Sequence, residues 1–149
     1  MLEKPFAGWT NICMANKIIS GSYLTDIPLD FIEAINNVIE TNKIQTVIID
    51  AESQGEFIYV FGFFRSYIIE EYTENDKPEI YVEEKDIREL ATELANDIEK
   101  YIESWKRWNP DLSESEMDDE EHKCFIFEMK KREKIFKNFI KKYKNINKK

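Results

Sequence analysis

The stretch EKDIRELATELANDIEKYIESWKRW, residues 84–108, decides how the chain folds. Its apolar residues fall at Ile87, Leu90, Leu94, Ile98, Tyr101, Ile102, Trp105 and Trp108. Steps of three and four put those side chains on one face of an α-helix. At about 1.5 Å per residue, one helix over the whole stretch would run roughly 37 Å. Asp86 followed three residues later by Glu89 is a capping-box signature for its start. The opposite face is mostly acidic.

Downstream, Asn109-Pro110 stops this helix, and Ser113 with Glu116 repeats the capping signature. A second helix is expected from there to Tyr143, burying Met117, Phe125, Met129, Phe136, Phe139, Ile140 and Tyr143. The bulky residues 124–127 would also suit a short strand, but one continuous helix is the expectation. Joined through residues 109–112, the two helices form an antiparallel hairpin. The acidic start of the second would then lie beside Lys106 and Arg107, and its lysine-rich end beside Glu84, Asp86, Glu89 and Glu93. That order also suits the helix macrodipole.

Upstream, residues 26–42 read as a helix, with Asp26 as N-cap, Pro28 in the first turn and Leu29, Ile32, Ile35 and Ile39 as its stripe. Phe31 and Val38 stand beside that stripe. Residues 43–51 form a strand around Val47-Ile48-Ile49, and residues 52–56, with Gly55, a hairpin loop. Residues 57–72 are too long for one typical strand, so Gly62 bends or bulges them. Both faces of residues 57–64 are apolar, which predicts a strand in the middle of the sheet. A turn at 73–78 and a short strand at 79–82 follow. Residues 1–24 read either as two short strands, 11–14 and 17–19, with Ser20-Gly21-Ser22 as turn, or as an irregular lead-in holding Gly8, Trp9 and Tyr23. The fold class is α+β: an antiparallel meander of three to five strands packed on helices, with a C-terminal antiparallel helix hairpin.

The chain has 149 residues, 42% of them apolar, with ten Phe, seven Tyr and three Trp to fill a core. That is the size of one domain, spanning residues 1–149, with helix and meander in 1–83 and the helix hairpin in 84–149. Four Gly and four Pro are too few for a linker or low-complexity segment. The longest near-apolar run, residues 57–64, is far short of the roughly 20 residues that span a bilayer. The first residues lack a basic region followed by an apolar one, so no signal peptide is read and a cytoplasmic location is expected. Cys13 and Cys124 are then expected to be reduced.

Charge is unevenly spread. Residues 1–122 carry 10 basic and 28 acidic side chains, net −18, and residues 123–149 carry 11 and 2, net +9, which together make the chain's −9. The hairpin absorbs much of this asymmetry, but Glu89 with Glu93, Glu93 with Asp97, and Glu99 with Glu103 are like-charged pairs four apart. Further acid recurs at Glu52, Glu56, Glu70, Glu71, Glu74 and Asp76. A surface of that sign repels phosphates and speeds encounter with a basic protein. Direct nucleic-acid binding is not expected, because Phe136, Phe139 and Tyr143 near the lysines are needed by the core.

No phosphate loop, nucleophile elbow or cysteine pair with metal-site spacing is present, and no cofactor is expected. His122 and Cys124 are two apart and point away from each other on a helix. Asp50 and Glu52 at a strand end, with Glu56 across the loop, resemble the acidic half of a metal-dependent nuclease site. Gln54 stands where such sites place a lysine. Arg65 can pair with one of these acids or anchor an interface. Trp105 and Trp108, beside Lys106 and Arg107, have the composition of interface hot spots. The leading expectation is a small acidic binding protein of the inhibitor or immunity type, bacterial or phage-borne, that occupies a basic partner such as a nuclease toxin. Its contacts would be Glu89, Glu93, Asp97, Glu99, Glu103, Trp105, Trp108, Glu52 and Glu56. The alternatives are a metal-dependent enzyme using Asp50, Glu52 and Glu56, and a self-associating subunit; sequence leaves monomer and dimer open.

Overall fold

The computed structural model describes residues 1–71, 77–108 and 118–144. β1 (Trp9–Met14) and β2 (Lys17–Ser22) pair as a separate antiparallel hairpin. Its turn is Ala15-Asn16, both at positive φ (54° and 58°), the two-residue geometry that matches strand twist. The expected turn Ser20-Gly21-Ser22 is instead the end of β2. Gly21 serves close approach, since a Cβ there would lie 2.5 Å from Ile27 Cδ1.

α1 (Ile27–Thr41) follows, with Pro28 in its first turn and Asn42 closing it in the left-handed region. Asp26 sits at the N-cap but its side chain caps nothing; it pairs with Arg132 instead. The buried stripe is rotated from the expected one: Ile27, Phe31, Ile32, Ala34, Ile35 and Val38 are buried, while Leu29 and Ile39 are half-buried at its margin. Phe31 sets the rotation by stacking on Tyr59 and Phe61, with ring centroids 5.2 and 5.1 Å away.

Those rings belong to the main sheet, whose order is β3-β4-β5-β6, all antiparallel. Its strands are β3 (Gln45–Asp50), β4 (Glu56–Phe61), β5 (Ser66–Glu70) and β6 (Glu79–Glu83). The four-stranded meander agrees with the sequence, and β4 does lie inside the sheet. At Gly62 the chain does more than bend: residues 62–65 reverse it, and a Cβ on Gly62 would meet the Arg65 carbonyl oxygen at 2.5 Å. Most of the expected 73–78 turn lies outside the described residues.

The long helix of the sequence reading is broken. α2 (Ile87–Lys100) begins with the expected box, Asp86 accepting from the Arg88 and Glu89 amides and Glu89 from the Asp86 amide. It ends at Tyr101 (φ −125°, ψ 29°), and α3 (Ile102–Trp105) adds one short turn. Past the break Trp105 and Trp108 stay on the buried side, 0% and 4% exposed, tilted against each other, with Trp108 Nε1 donating to the Thr25 carbonyl at 3.3 Å.

α4 (Asp119–Tyr143) is one continuous helix through residues 124–127, started by an Asp118–Glu121 capping box. The Asn109-Pro110 stop, the Ser113–Glu116 signature and Met117 lie outside the described residues. α4 packs on α2 and runs antiparallel to the α2–α3 segment, since Arg132 reaches the Trp105 carbonyl while Lys144 pairs with Glu99. The expected charge pairing is displaced along the helix. The lysine-rich end meets Glu99 on α2 and Asn36 and Glu40 on α1, not Glu84, Asp86, Glu89 or Glu93. With Arg132 beside Trp105, the acidic start lies roughly 17–20 Å beyond it at about 1.5 Å per residue, away from Lys106. A single hydrophobic cluster runs from Met1 and Leu2 through α1, the sheet and α2 to Phe136, Phe139 and Tyr143.

Candidate functional site

Strand alternation builds the site. In β4, Phe57, Tyr59 and Phe61 point to the helices and are buried, so Ile58 and Val60 point the other way. The register then aligns Ile48, Ile58, Ile69 and Ile80 in one row across all four strands. The adjacent row is Thr46, Val60, Tyr67 and Val82. Directly opposed residues lie about 4.5–5.5 Å apart, so the isoleucine row is a continuous apolar ladder, while the adjacent row joins two valines and Tyr67 to the polar Thr46. Among the described residues no second layer covers it: Ile48 and Ile80 at the edges are 55% and 62% exposed, and Val82 is 44% exposed. An antiparallel sheet with one solvated face normally alternates apolar-in and polar-out. This one is apolar on both faces.

Acid surrounds the ladder. Asp50 faces Glu56 across β3 and β4 at one end. Glu52 follows, held at φ 53° with its amide donating to Asp50 Oδ1 at 2.7 Å. Glu71 and Glu84 are exposed where β5 and β6 end. None of these five acids makes an ion pair with a described residue. Arg65, exposed at the opposite end of β5, makes none either and pairs with none of the acids.

The sequence-predicted contact residues divide into three groups. Glu52 and Glu56 are exposed beside the ladder. The helix acids are engaged within the chain. Glu89 serves the capping box, Glu93 and Asp97 grip the Met1 amine at 2.6 and 2.7 Å, Glu93 also pairs with Lys85, Glu99 with Lys144 and Glu103 with Lys106. The Met1 amine is buried in its pairs with Glu93 and Asp97, whereas the Glu99–Lys144 pair is exposed on both sides and worth only about 0–1 kcal/mol. Trp105 and Trp108, named from sequence as partner contacts, are core residues instead. The isoleucine ladder was missed. Its signal is apolar residues at both parities in 47–49, 57–61, 67–69 and 80–82, of which the sequence reading takes only 57–64 as apolar on both faces.

Two carboxylate clusters are structural. Glu83, buried, accepts from the Ala15 amide at 2.7 Å and the Lys85 amide at 3.0 Å, tying the β1–β2 hairpin to the sheet. Lys17 pairs with Glu70 and lies 3.9 Å from the Tyr81 ring centroid. Burial opposes charge on both partners and is the largest single influence, but their mutual hydrogen bond, the hydrogen bonds with Tyr81 and their charge attraction together outweigh it, raising Lys17 and lowering Glu70. Asp50, Glu52 and Glu56 do not converge; among the described residues no three His, Cys, Asp or Glu are placed to hold a metal ion. His122 and Cys124 are exposed on the first turns of α4, and both cysteines are free thiols. No described helix is long and apolar enough to cross a membrane. Compared with known protein families, curated proteins and solved structures, the chain finds no match.

Proposed function

We propose that this chain is a protein-binding module whose docking surface is the outer face of the four-stranded sheet, and that its partner is a basic protein. The observation that supports the reading is the ladder Ile48-Ile58-Ile69-Ile80, which no described element covers, with carboxylates at its margins that pair with no described residue. Burying the ladder supplies the non-directional attraction, and the surplus acid speeds encounter and selects the sign of the partner. Occupying a toxin or enzyme in this way requires no catalytic group, which suits an inhibitor or immunity protein of the kind bacteria and phages make. Two free cysteines suit a cytoplasmic setting.

Magnitude argues against a second copy as the occupant. Four strands about 4.8 Å apart carrying two rows about 7 Å apart span on the order of 250 Å². Two such faces stacked would bury about 500 Å², below the roughly 1,000 Å² that a stable interface clears. Like-charged margins would also meet. A larger basic partner reaches the required area by covering the margins as well.

The test is affinity capture from the expressing cells with the native chain and with an Ile58→Lys, Ile69→Lys double variant. The expected result is a basic protein held by the native chain, released as salt rises, and absent from the variant. Retention of the same partners by the variant would overturn the proposal, as would a partner set of acidic proteins.

A further inference from the structure

The margin of the ladder at β3 is a sheet edge, and its backbone is open at Thr46 and Ile48. The Ala51 amide donates to the Gly55 carbonyl across the β3–β4 hairpin. Alternation in an antiparallel ladder then turns the amides and carbonyls of residues 46, 48 and 50 away from β4. Asp50 agrees: its amide lies 3.5 Å from Thr25 Oγ1 and its carbonyl 3.4 Å from Ser22 Oγ, both on the far side. The backbone groups of Thr46 and Ile48 that face the same way have no partner among the described residues.

These two residues open into a groove of about 400 Å³ between β3 and α1. α1 presents Asp30, Glu33, Ala34 and Asn37 to it, spaced as one helical face. Burial pushes the Asp30 carboxyl above its ordinary value, and the charges of Asp26 and Glu33 push the same way, against Arg132. A cation arriving in the groove would relieve that repulsion.

Exposed edges are usually defended by proline, charge or a bulge. β6 is defended, with Pro78 before it and Glu79, Glu83, Glu84 and Lys85 along and after it. β3 reads Gln45-Thr46-Val47-Ile48-Ile49 before its first charge at Asp50. The undefended edge is the one beside the acidic groove.

Resting on the protein-binding reading above, we infer that β3 takes up an extended cationic segment of the partner as a fifth strand of the sheet. Main-chain bonds to Thr46 and Ile48 would give affinity, and alternate side chains specificity, as in other strand additions. One set of side chains would point toward Asp30 and Glu33, favouring lysine or arginine. The other would extend the ladder beyond Ile48, favouring branched aliphatics. The recognised pattern is therefore alternating basic and apolar. A second copy of the chain would bring its own Asp30 and Glu33 into the groove and is disfavoured by charge.

The experiment titrates the ¹⁵N-labelled chain with an eight-residue peptide alternating lysine and valine, and with its glutamate–valine counterpart, at 0.15 M salt. The expected result is binding of the lysine peptide alone, with amide exchange at Thr46 and Ile48 slowed at least tenfold and Val47 and Ile49 little changed. Asp30→Asn with Glu33→Gln should weaken it at least tenfold, and Thr46→Pro should abolish it; if Thr46→Pro misfolds, exchange at Thr46 and Ile48 still decides. Equal binding of both peptides, shifts confined to Ile58, Ile69 and Ile80, or no binding overturns the strand addition. Any of these, with a basic partner still captured through the sheet face, leaves the protein-binding reading standing; loss of that capture removes both.

Discussion

At the scale of single residues, two positions carry constraints that composition alone does not display. Gly21 is packed by Ile27, Ile12 and Ile49, so Gly21→Ala overpacks the junction of β2 and α1. The expected cost is about 1–3 kcal/mol, read by urea unfolding, and Ile27→Val should restore part of it by removing the clashing Cδ1. Arg132 is the other. It is a buried arginine held by both carboxylate oxygens of Asp26, with a third contact to the Trp105 carbonyl. Asp26→Ala strands that charge and should cost about 2–3 kcal/mol, less than a fully buried pair because Asp26 is partly in water. Arg132→Met should cost less than Asp26→Ala, since the remaining carboxylate can hydrate. The reverse order in urea unfolding would count against this account of the pair.

At the scale of elements, local signals worked where they are self-contained. The Asp86–Glu89 box starts α2 as the sequence indicates because both partners sit within one turn. Asp86→Ala should destabilise the protein by about 1 kcal/mol and speed amide exchange in the first turn of α2. The signals failed where an element answers to something distant. Periodicity continues straight through Tyr101, yet the helix breaks there, and the apolar spacing does not mark the break. Both readings of residues 20–22 were chemically sound, but the turn formed at Ala15-Asn16, where neither residue is a glycine. Aromatic packing of Phe31 on Tyr59 and Phe61 rotated α1 by a fraction of a turn, which no pattern within α1 contains.

At the scale of the whole molecule, the chain's first residue is tied to its long-range structure. The Met1 amine is buried, which disfavours its charge, but hydrogen bonds and charge from Asp97 and Glu93 outweigh this and raise it above its usual 8.0. A group raised in the folded state stabilises fully below its unfolded value, and that stability is lost as pH rises through the folded one. Glu93 runs the other way: burial raises it, but Lys85 and the amine bring it net below 4.5, so its contribution holds above 4.5 and fades as pH falls. The 149-residue chain should therefore show a plateau in urea midpoint between about pH 5 and 8, falling above 8 well before Lys17 and Lys85 titrate. In Asp97→Asn with Glu93→Gln, the decline above pH 8 should flatten or reverse, because burial then favours the neutral amine.

What the sequence determined by itself was the local and the periodic: α+β class, the meander, the capped start of α2 and the acidic bias of the first 122 residues. These depend on neighbours a few positions away, and a one-dimensional pattern holds that information. Which acids remain available was decided only in three dimensions. The pairs of Glu93 and Asp97 with the Met1 amine and of Glu99 with Lys144 join residues 45 to 96 positions apart, and sequence spacing says nothing about such encounters. The ladder was likewise beyond reach, because apolar residues at both parities imply burial on two sides. Whether a second layer exists to supply that burial is a property of how the helices distribute themselves, and here α1 packs against one face of the sheet while no described element covers the other.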